Sequence, residues 1–527
     1  MPEQLYRSAL TLYRQHKYRD AAALAGRAVA VDPKLVNGWR LRADCCSAEG
    51  NLQAAVAYLW LARDAAEPGS RRWISASLHL AETLLRTGQQ GDVVTVLAQL
   101  PYAALDHVEP LARAAYLYSC CEAHREALQW YERALQLAPQ NRELQFNCAA
   151  ANRAMGNLAR AEALYDRLIA ANPRDFEAYK NRSDLRRQAP DNNHIDELNQ
   201  RLQQPELPAA GASQLQFALA KEYEDLGECD RSFAALQQAC QLRRRSIRYD
   251  AAQDLRRLRT IADTFDAHFF RRDHAAEPSA GAGIIFILGM PRTGTTLAQR
   301  LLCCGDDVYS AGEPDTFARL LMELAPPGEE EEALVARARR LNLAQLGRRY
   351  EAELRSRFST RRAPVIIDKN PMNFLYAGLI RRALPAAKIV HLRRHPVDTG
   401  YAVLKTPFRD AYPFSYDQRE LAYYYLGYRA LMEHWQRVIP GQIYDLHYER
   451  LVADVAAESR ALFRFCGLPW SAQVLEFHRQ DKQGTATASA SQVRQPVYSA
   501  SVGKWKHFRA WLQPMIEVLR EGGVEID

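Results

Sequence analysis

Two patterns of apolar and polar positions divide the chain. Over roughly residues 3 to 245 the sequence reads as an array of paired helices, punctuated by Pro33, Pro68, Pro101, Pro139 and Pro173 at intervals of 35, 33, 38 and 34 residues. From residue 283 onward the pattern changes to short apolar runs. Ile284 to Leu288 is unbroken, and further runs follow at Pro364-VII-Asp368, Lys388-IVH-Leu392 and Gln442-IYDLH-Tyr448, separated by helical stretches. Continuous runs of this length read as strands buried on both faces, and their alternation with helices predicts a parallel sheet covered on each side. In such a sheet ligands bind beyond the carboxyl ends of the strands, so residues that follow each run are the first candidates for chemistry.

Within the first half, Tyr118, Ala127, Tyr131, Ala134 and Pro139 fall at the spacing Y-x8-A-x3-[FY]-x2-A-x4-P. Ala161, Tyr165 and Pro173 repeat part of it; Trp39, Ala43, Ala55, Leu59 and Ala62 mark an earlier copy, and Tyr223, Gly227, Leu236 and Ala239 a later one. Small alanines let facing helices approach, while aromatics fill the seam between neighbouring units. The region resembles tetratricopeptide repeats, whose period is about 34 residues. The resemblance implies an all-α solenoid over residues 1–245, whose concave face receives a peptide or partner protein or which supports or dimerises the second half. Pro190 to Pro208 reads as an irregular insertion, a helix from about Arg243 to Arg271 as a cap on the stack, and Glu277-PSAGA-Gly283 as the entry to the next domain. Residues 246–282 are thus assigned to a capping helix and linker, and 283–527 to the domain that carries the chemistry.

Composition narrows the class without naming it. With 527 residues, 48% hydrophobic and 25% charged, the chain has material for two or more ordinary cores. A formal charge of +7 suits anionic ligands but falls short of a nucleic-acid-binding signature. The ten cysteines include no C-x-x-C pair, which argues against a zinc knuckle or a disulfide framework and for packing residues in a reducing, cytoplasmic setting. No stretch approaches the run of about 18 apolar residues that a membrane helix requires, so neither export nor anchoring is expected.

The strand at Ile284 leads into Gly289-MPRT-Gly294-TT, a Gly-bracketed loop followed by a helix start. Backbone N–H groups of Pro291-Arg292-Thr293-Gly294-Thr295-Thr296, together with the helix N-terminus, make an anion cradle there. A Walker A loop would carry lysine where Thr295 stands, so a magnesium-bound triphosphate is disfavoured. The only cation is Arg292, inside the loop. P-R-T-G-T-T after such a strand resembles the 5′-phosphosulfate loop of sulfotransferases that use 3′-phosphoadenosine 5′-phosphosulfate (PAPS).

That resemblance extends over about residues 283 to 510 and implies a P-loop-like, three-layer α/β domain. Asp368-Lys369-Asn370-Pro371 matches the K-[DN]-P segment of the tyrosylprotein type, which implies that Lys369 faces the transferring sulfuryl group. Arg394 matches the arginine that holds the 3′-phosphate, but the serine expected eight residues on is Ala402, unless Thr399, Tyr401 or Lys405 substitutes. His447-Tyr448-Glu449-Arg450-Leu451 matches a segment whose tyrosine lies near the nucleotide, and Ser491 to Trp505 resembles the segment that closes over it, with Lys504 at its lysine position. The family's G-E-E appears as Gly312-Glu313-Pro314-Asp315, with proline at the place of the base; Glu313 is the candidate, ahead of Asp315 and His395.

The resulting expectation is an enzyme that moves a sulfuryl group from PAPS to a hydroxyl, releasing 3′-phosphoadenosine 5′-phosphate, with catalytic Glu313, Arg292 and Lys369. The positive charge would come from side chains and oriented amides, so no metal is expected. The acceptor is a protein, peptide or small hydroxyl compound, with a possible protein partner on the repeats, possible oligomers, and no nucleic-acid or membrane partner. A P-loop kinase or nucleotide hydrolase is the enzymatic alternative. A non-catalytic repeat scaffold with a decayed transferase domain is the other, kept open by Ala402 and Pro314. The Tyr423-Tyr424-Tyr425 run with Tyr428 reads as helix core or as an acceptor pocket.

Overall fold

The structure, a computed structural model, describes residues 1–271, 276–305, 307–323, 341–358, 364–408, 411–479, 497 and 499–527. These divide into two compact units. Met1–Met155 forms the first, with Glu353–Phe358; the second runs from Gly156 and holds the remaining repeat helices together with the sheet.

In the first unit, successive helices pack in pairs such as Val108–Cys120 with His124–Leu137. The repeat positions read from the sequence supply the packing: Tyr118, Ala127, Tyr131 and Ala134 are all buried. Trp130 fits between them, its ring 5.9 Å from that of Tyr118 and 5.0 Å from that of Tyr102. Pro139, exposed just beyond Leu137, cannot continue the helix because it has no N–H to donate. In the second unit Ala161 and Tyr165 are wholly buried in Leu158–Ala171, and the last repeat pair is Ala209–Asp225 with Cys229–Arg245.

Two readings of the sequence need correction. The stretch from Arg243 to Arg271 is not one helix: Cys229–Arg245 ends, and Ala251–Thr264 and Ala267–Arg271 start anew. Aspartates cause both restarts. Asp250 accepts the Ala252 N–H and Asp266 accepts the Phe269 N–H, each giving the backbone a better partner than helix continuation would. The segment between Pro190 and Pro208, in turn, contains a helix at Ile195–Leu202, whose Ile195 and Leu198 are buried.

The sheet has five parallel strands in the order β2-β3-β1-β4-β5: β1 Ile284–Gly289, β2 Val308–Ser310, β3 Val365–Asp368, β4 Lys388–Arg393 and β5 Ile443–His447. Every residue of β1 is buried, which is what its unbroken apolar run requires. Ile285 and Ile287 face a core with Leu297 and Leu301 of the next helix and Leu462 and Phe463 of Val455–Cys466. Phe286 faces the other way, its ring stacked 5.4 Å from Tyr350. On that face Trp435 and Tyr428 of Gln418–Val438 pack with Phe374. The three-residue β2 was not foreseen, because three residues are too few to leave a periodic signature.

Cysteines serve as packing residues. None of the ten is held in a disulfide, and burial pushes the Cys45, Cys121 and Cys466 thiols up to about 12. Of the tyrosine run, Tyr424 and Tyr428 are buried while Tyr423 is exposed. Removal of the Phe286 ring, wholly buried in the central strand, is expected to cost about 3–5 kcal/mol in Phe286→Ala by denaturant unfolding. A cost under about 1 kcal/mol would mean that this face of the sheet is not the packed core described.

Candidate functional site

The site begins where β1 runs out. Gly289 adopts φ 145°, and a Cβ there would lie 2.7 Å from the Leu392 carbonyl oxygen on β4, so a side chain is excluded. The chain then turns through Met290 and Pro291, both buried, to Arg292 at φ 67°, a left-handed conformation uncommon outside glycine. Thr293 Oγ1 donates to the Met290 carbonyl at 2.7 Å and closes the turn. Gly294, at φ 101°, leads the helix Thr295–Leu302. A Cβ at Gly294 would come within 2.6 Å of the Tyr448 ring. No side chain caps this helix, so its first-turn N–H groups face the loop as an anion site. Thr295 and Thr296 are buried in the first turn of that helix.

Strands β3 and β4 flank β1, and each ends in a predicted cation. At the end of β3, Lys369 is 1% exposed, and its Nζ donates to Glu313 Oε1. The loop carrying Glu313 is tied to the same strand: Lys369 N–H donates to the Gly312 carbonyl at 3.0 Å and Asn370 Nδ2 to that of Pro314 at 2.9 Å. Glu313 precedes the helix Thr316–Glu323 instead of opening it, which leaves its carboxylate free of a capping duty. Asp368 beneath is held by Tyr350 Oη at 2.5 Å and Asn373 Nδ2 at 2.9 Å.

At the end of β4, Arg393 and Arg394 separate. Arg393 turns to Asp445 at 3.2 Å. Arg394 turns to the loop: Nη1 donates to the Arg292 carbonyl at 3.0 Å, Nη2 to the Ser501 carbonyl at 2.6 Å, and the guanidinium lies 4.8 Å from the Tyr448 ring centre. Its Nε is buried without a partner. Tyr448 Oη and Ser501 Oγ are 2.7 Å apart. One arginine therefore joins the cradle, the predicted nucleotide tyrosine and the C-terminal segment.

That segment is fixed further by Asp398, which sequence reasoning passed over. Its carboxylate accepts Gly503 N–H at 2.6 Å and Trp505 N–H at 3.0 Å. Trp505 stacks on His395, ring centres 5.1 Å apart, and burial holds His395 below the ordinary histidine range, hence neutral near pH 7. Residues 480–496 and 498 of the predicted closing segment lie outside the described residues.

Lys504 does not turn to the loop. It pairs with Glu224 of the helix Ala209–Asp225, which Lys405 Nζ also meets at 2.8 Å. Ala402 is buried in Pro396–Leu404, and the three proposed substitutes for its missing hydroxyl are committed elsewhere. Thr399 Oγ1 bonds the Arg394 carbonyl at 3.4 Å, while Tyr401 Oη donates to Glu224 at 2.7 Å and Lys405 pairs with it.

Beside the cradle lies a cavity of about 520 Å³ whose lining includes Thr293, Arg394, Arg393, His391, Tyr428 and Asp445. His391 is fully buried, and desolvation holds it below its ordinary value, so the ring is neutral. Its Nδ1 donates to Asp445 at 2.7 Å, and its Nε2 accepts from Tyr428 Oη. The alternation K-I-V-H-L-R in β4, which sets His391 and Arg393 on one face, was the available signal. Among the described residues no cluster of potential metal ligands occurs, and no helix is long and apolar enough to cross a membrane.

Residues 284–472, which include all five strands, match the model of the sulfotransferase family, and residues 122–182 match that of the tetratricopeptide repeat. An uncharacterised protein of Aquifex aeolicus is 33% identical over 389 residues, 70% of this chain and 49% of the relative. Protein-tyrosine sulfotransferase 1 of Danio rerio is 24% identical over 253 residues, 42% of this chain and 65% of the relative. The chain thus spans about half of the first and under two thirds of the second. Among solved structures, the sulfotransferase domain of the Synechococcus PCC 7002 olefin synthase aligns with 49% of this chain and 100% of that domain, at 18% identity and a TM-score of 0.34. With the transferase match covering the described parallel sheet and the repeat match lying among the preceding helices, the chain carries a sulfotransferase-family domain with tetratricopeptide repeats ahead of it.

Proposed function

We propose that the protein transfers a sulfuryl group from PAPS to a hydroxyl acceptor. The observation that carries the reading is Arg394, whose fork bonds the loop carbonyl and the C-terminal segment while its buried Nε stays unspent beside an uncapped helix N-terminus. Such a site fits an anion with several oxygens: oriented amides receive one phosphate, and a planar guanidinium suits a second. The close approach of Gly294 to Tyr448 leaves backbone, not side chain, facing the ligand.

In this reading the cradle from Pro291 to Thr296 holds the 5′-phosphosulfate, Arg394 the 3′-phosphate, and the Tyr448 ring borders the nucleoside. Glu313 accepts the acceptor's proton as its oxygen attacks sulfur in line; the new O–S bond forms while the S–O bond to the phosphate breaks, and the electron pair leaves with the phosphate oxygen. Lys369 and Arg292 stabilise the charge that develops on the transferring group and that oxygen. Lys369 also fixes the Glu313 carboxylate at the carboxyl end of the sheet, so acid–base and electrostatic roles meet in one pair. A protein or peptide bound to the repeats, or a small hydroxyl compound, is the acceptor, and a cytoplasmic setting accords with thiols outside any disulfide.

Calorimetric titration with 3′-phosphoadenosine 5′-phosphate is expected to give submillimolar binding. Loss of the charged hydrogen bonds in Arg394→Ala should weaken it by about 10- to 100-fold, the equivalent of roughly 1.5–3 kcal/mol, whereas exposed Tyr116→Ser should change nothing. Absence of binding by the intact chain sinks the donor assignment.

Restoring the hydroxyl in Ala402→Ser should tighten the same nucleotide several-fold, by about 1 kcal/mol, and leave adenosine 5′-phosphosulfate unaffected. An equal change for both nucleotides would argue against a 3′-phosphate site at Arg394.

For the base, Glu313→Gln is expected to lower the rate of radiolabelled sulfate transfer from PAPS by about 10²- to 10⁴-fold while nucleotide affinity stays within about threefold. Full turnover in that variant would move the role to Asp315 or His395.

A further inference from the structure

We infer that Glu224, carried by a repeat helix, is a positioning residue of the donor site, anchoring Lys405 of the helix after Arg394 and Lys504 of the C-terminal segment that Arg394 holds; the inference rests on the donor reading given above. Glu224 stands in the last turn of Ala209–Asp225, where a carboxylate opposes the helix dipole, so local helix chemistry does not favour it. What surrounds it does. Lys405 Nζ lies 2.8 Å from Oε1 and 3.1 Å from Oε2, Tyr401 Oη donates to Oε2 at 2.7 Å, and Lys504 Nζ pairs with Oε1. The carboxylate is 10% exposed, and the two lysines hold it down at about 2 despite burial.

Three elements meet at this carboxylate. Lys405 and Tyr401 come from the end of Pro396–Leu404, the helix that follows Arg394. Lys504 comes from the segment that Arg394, Tyr448 and Asp398 pin at Ser501, Gly503 and Trp505. Glu224 comes from the repeats. Packing around the junction is apolar and continuous: Phe233 of Cys229–Arg245 stacks on Trp511 with ring centres 5.8 Å apart, and Tyr401 stacks on Phe508 at 4.5 Å. Arg244 adds a two-pronged bond to Glu420, both contacts 2.7 Å.

A half-buried ammonium beside a second one needs this partner. Burial lowers the Lys405 pKa from its ordinary value, Arg292 and Lys504 push it the same way, and Glu224 is the group that opposes them. Tyr401 is raised well above its ordinary value and stays protonated, so it supplies a hydrogen bond and no charge. Without Glu224, two ammonium groups and the Arg292 guanidinium would repel one another in a partly desolvated site; Lys405 would shed its proton at lower pH, and Lys504 would lose its anchor. The repeats are then a built-in wall of the donor site as well as a binding module.

The test uses the full chain, titrating 3′-phosphoadenosine 5′-phosphate from pH 6.5 to 9.5 into wild type, Glu224→Gln and the double variant Glu224→Gln/Lys405→Met, with thermal unfolding alongside. Glu224→Gln should bind at least tenfold more weakly at pH 8, and the pH at which its affinity halves should fall at least one unit below that of wild type. Sign follows from Lys405: a depressed ammonium is charged at low pH, so affinity is lost as pH rises. The double variant, free of the excess charge, should fold as wild type does and lose that pH dependence. Glu224→Gln binding as tightly as wild type at every pH, or more weakly by one constant factor, would overturn the inference, the second outcome being that of a merely structural residue. Failure of wild type itself to bind would instead remove the donor reading, so the two failures are told apart.

Discussion

The close passage of the loop after β1 against β4 governs the rest of the site. At Gly289 the backbone runs so near the Leu392 carbonyl that a Cβ would sit 2.7 Å from it, and at Gly294 so near Tyr448 that a Cβ would sit 2.6 Å from the ring. Glycine at both ends lets the intervening residues double back, and Arg292 takes the positive φ that results. Its carbonyl is thereby delivered to Arg394, one strand over, at 3.0 Å. The parallel register that sets Gly289 beside Leu392 is thus the same constraint that brings the Arg394 fork to the cradle. A strand pairing slipped by one residue would turn alternate side chains to the opposite face and break the arrangement.

Charge is distributed around this loop with a consistent division. Lys369 is matched by Glu313, Arg393 by Asp445, and Lys405 with Lys504 by Glu224. Arg394 differs: it donates to the neutral carbonyls of Arg292 and Ser501. Neutral acceptors orient a guanidinium without cancelling its field, which is the arrangement that favours an incoming anion over an internal ion pair. Paired cations give the site shape, while the unneutralised one gives it attraction. The neutral His391, held between Asp445 and Tyr428, adds rigidity below the cradle at no cost in charge.

What the sequence made legible was local. The unbroken apolar run located β1 and the shorter β-rich runs β3, β4 and β5, each to within a residue or so, because a strand in a covered sheet keeps most of its side chains apolar. The glycines and Arg292 announced the loop, and the strand ends announced Lys369 and Arg394 as rim residues. Three things stayed hidden. The Asp250 and Asp266 restarts were masked by otherwise helical sequence, since a cap is a single residue inside a strong periodic signal. Asp398 was passed over, and its bonds to Gly503 and Trp505 span more than a hundred positions. Glu224 sat in a degenerate repeat, where its partners lie about 180 and 280 residues further on. Periodicity reports what a residue does for its own helix and is silent on a long-range ion pair.

The same distinction bears on where one domain ends. Repeat periodicity stops near residue 245, whereas the compact unit that contains the sheet begins at Gly156. The first boundary follows sequence pattern, and the second follows contacts. Phe233 on Trp511, Arg244 on Glu420 and Glu224 between two lysines are interactions that a transferase domain cut at the end of the repeats would lose together. Losing them would expose aromatic faces and leave Lys405, partly buried, without its counter-charge, a combination more costly than the sum of surface contacts suggests. Repeat units stacked only on one another could be exchanged freely, because each touches only its neighbours. The last pair here has been taken into the core of another fold, and its sequence is constrained by that fold's chemistry as much as by its own repeat.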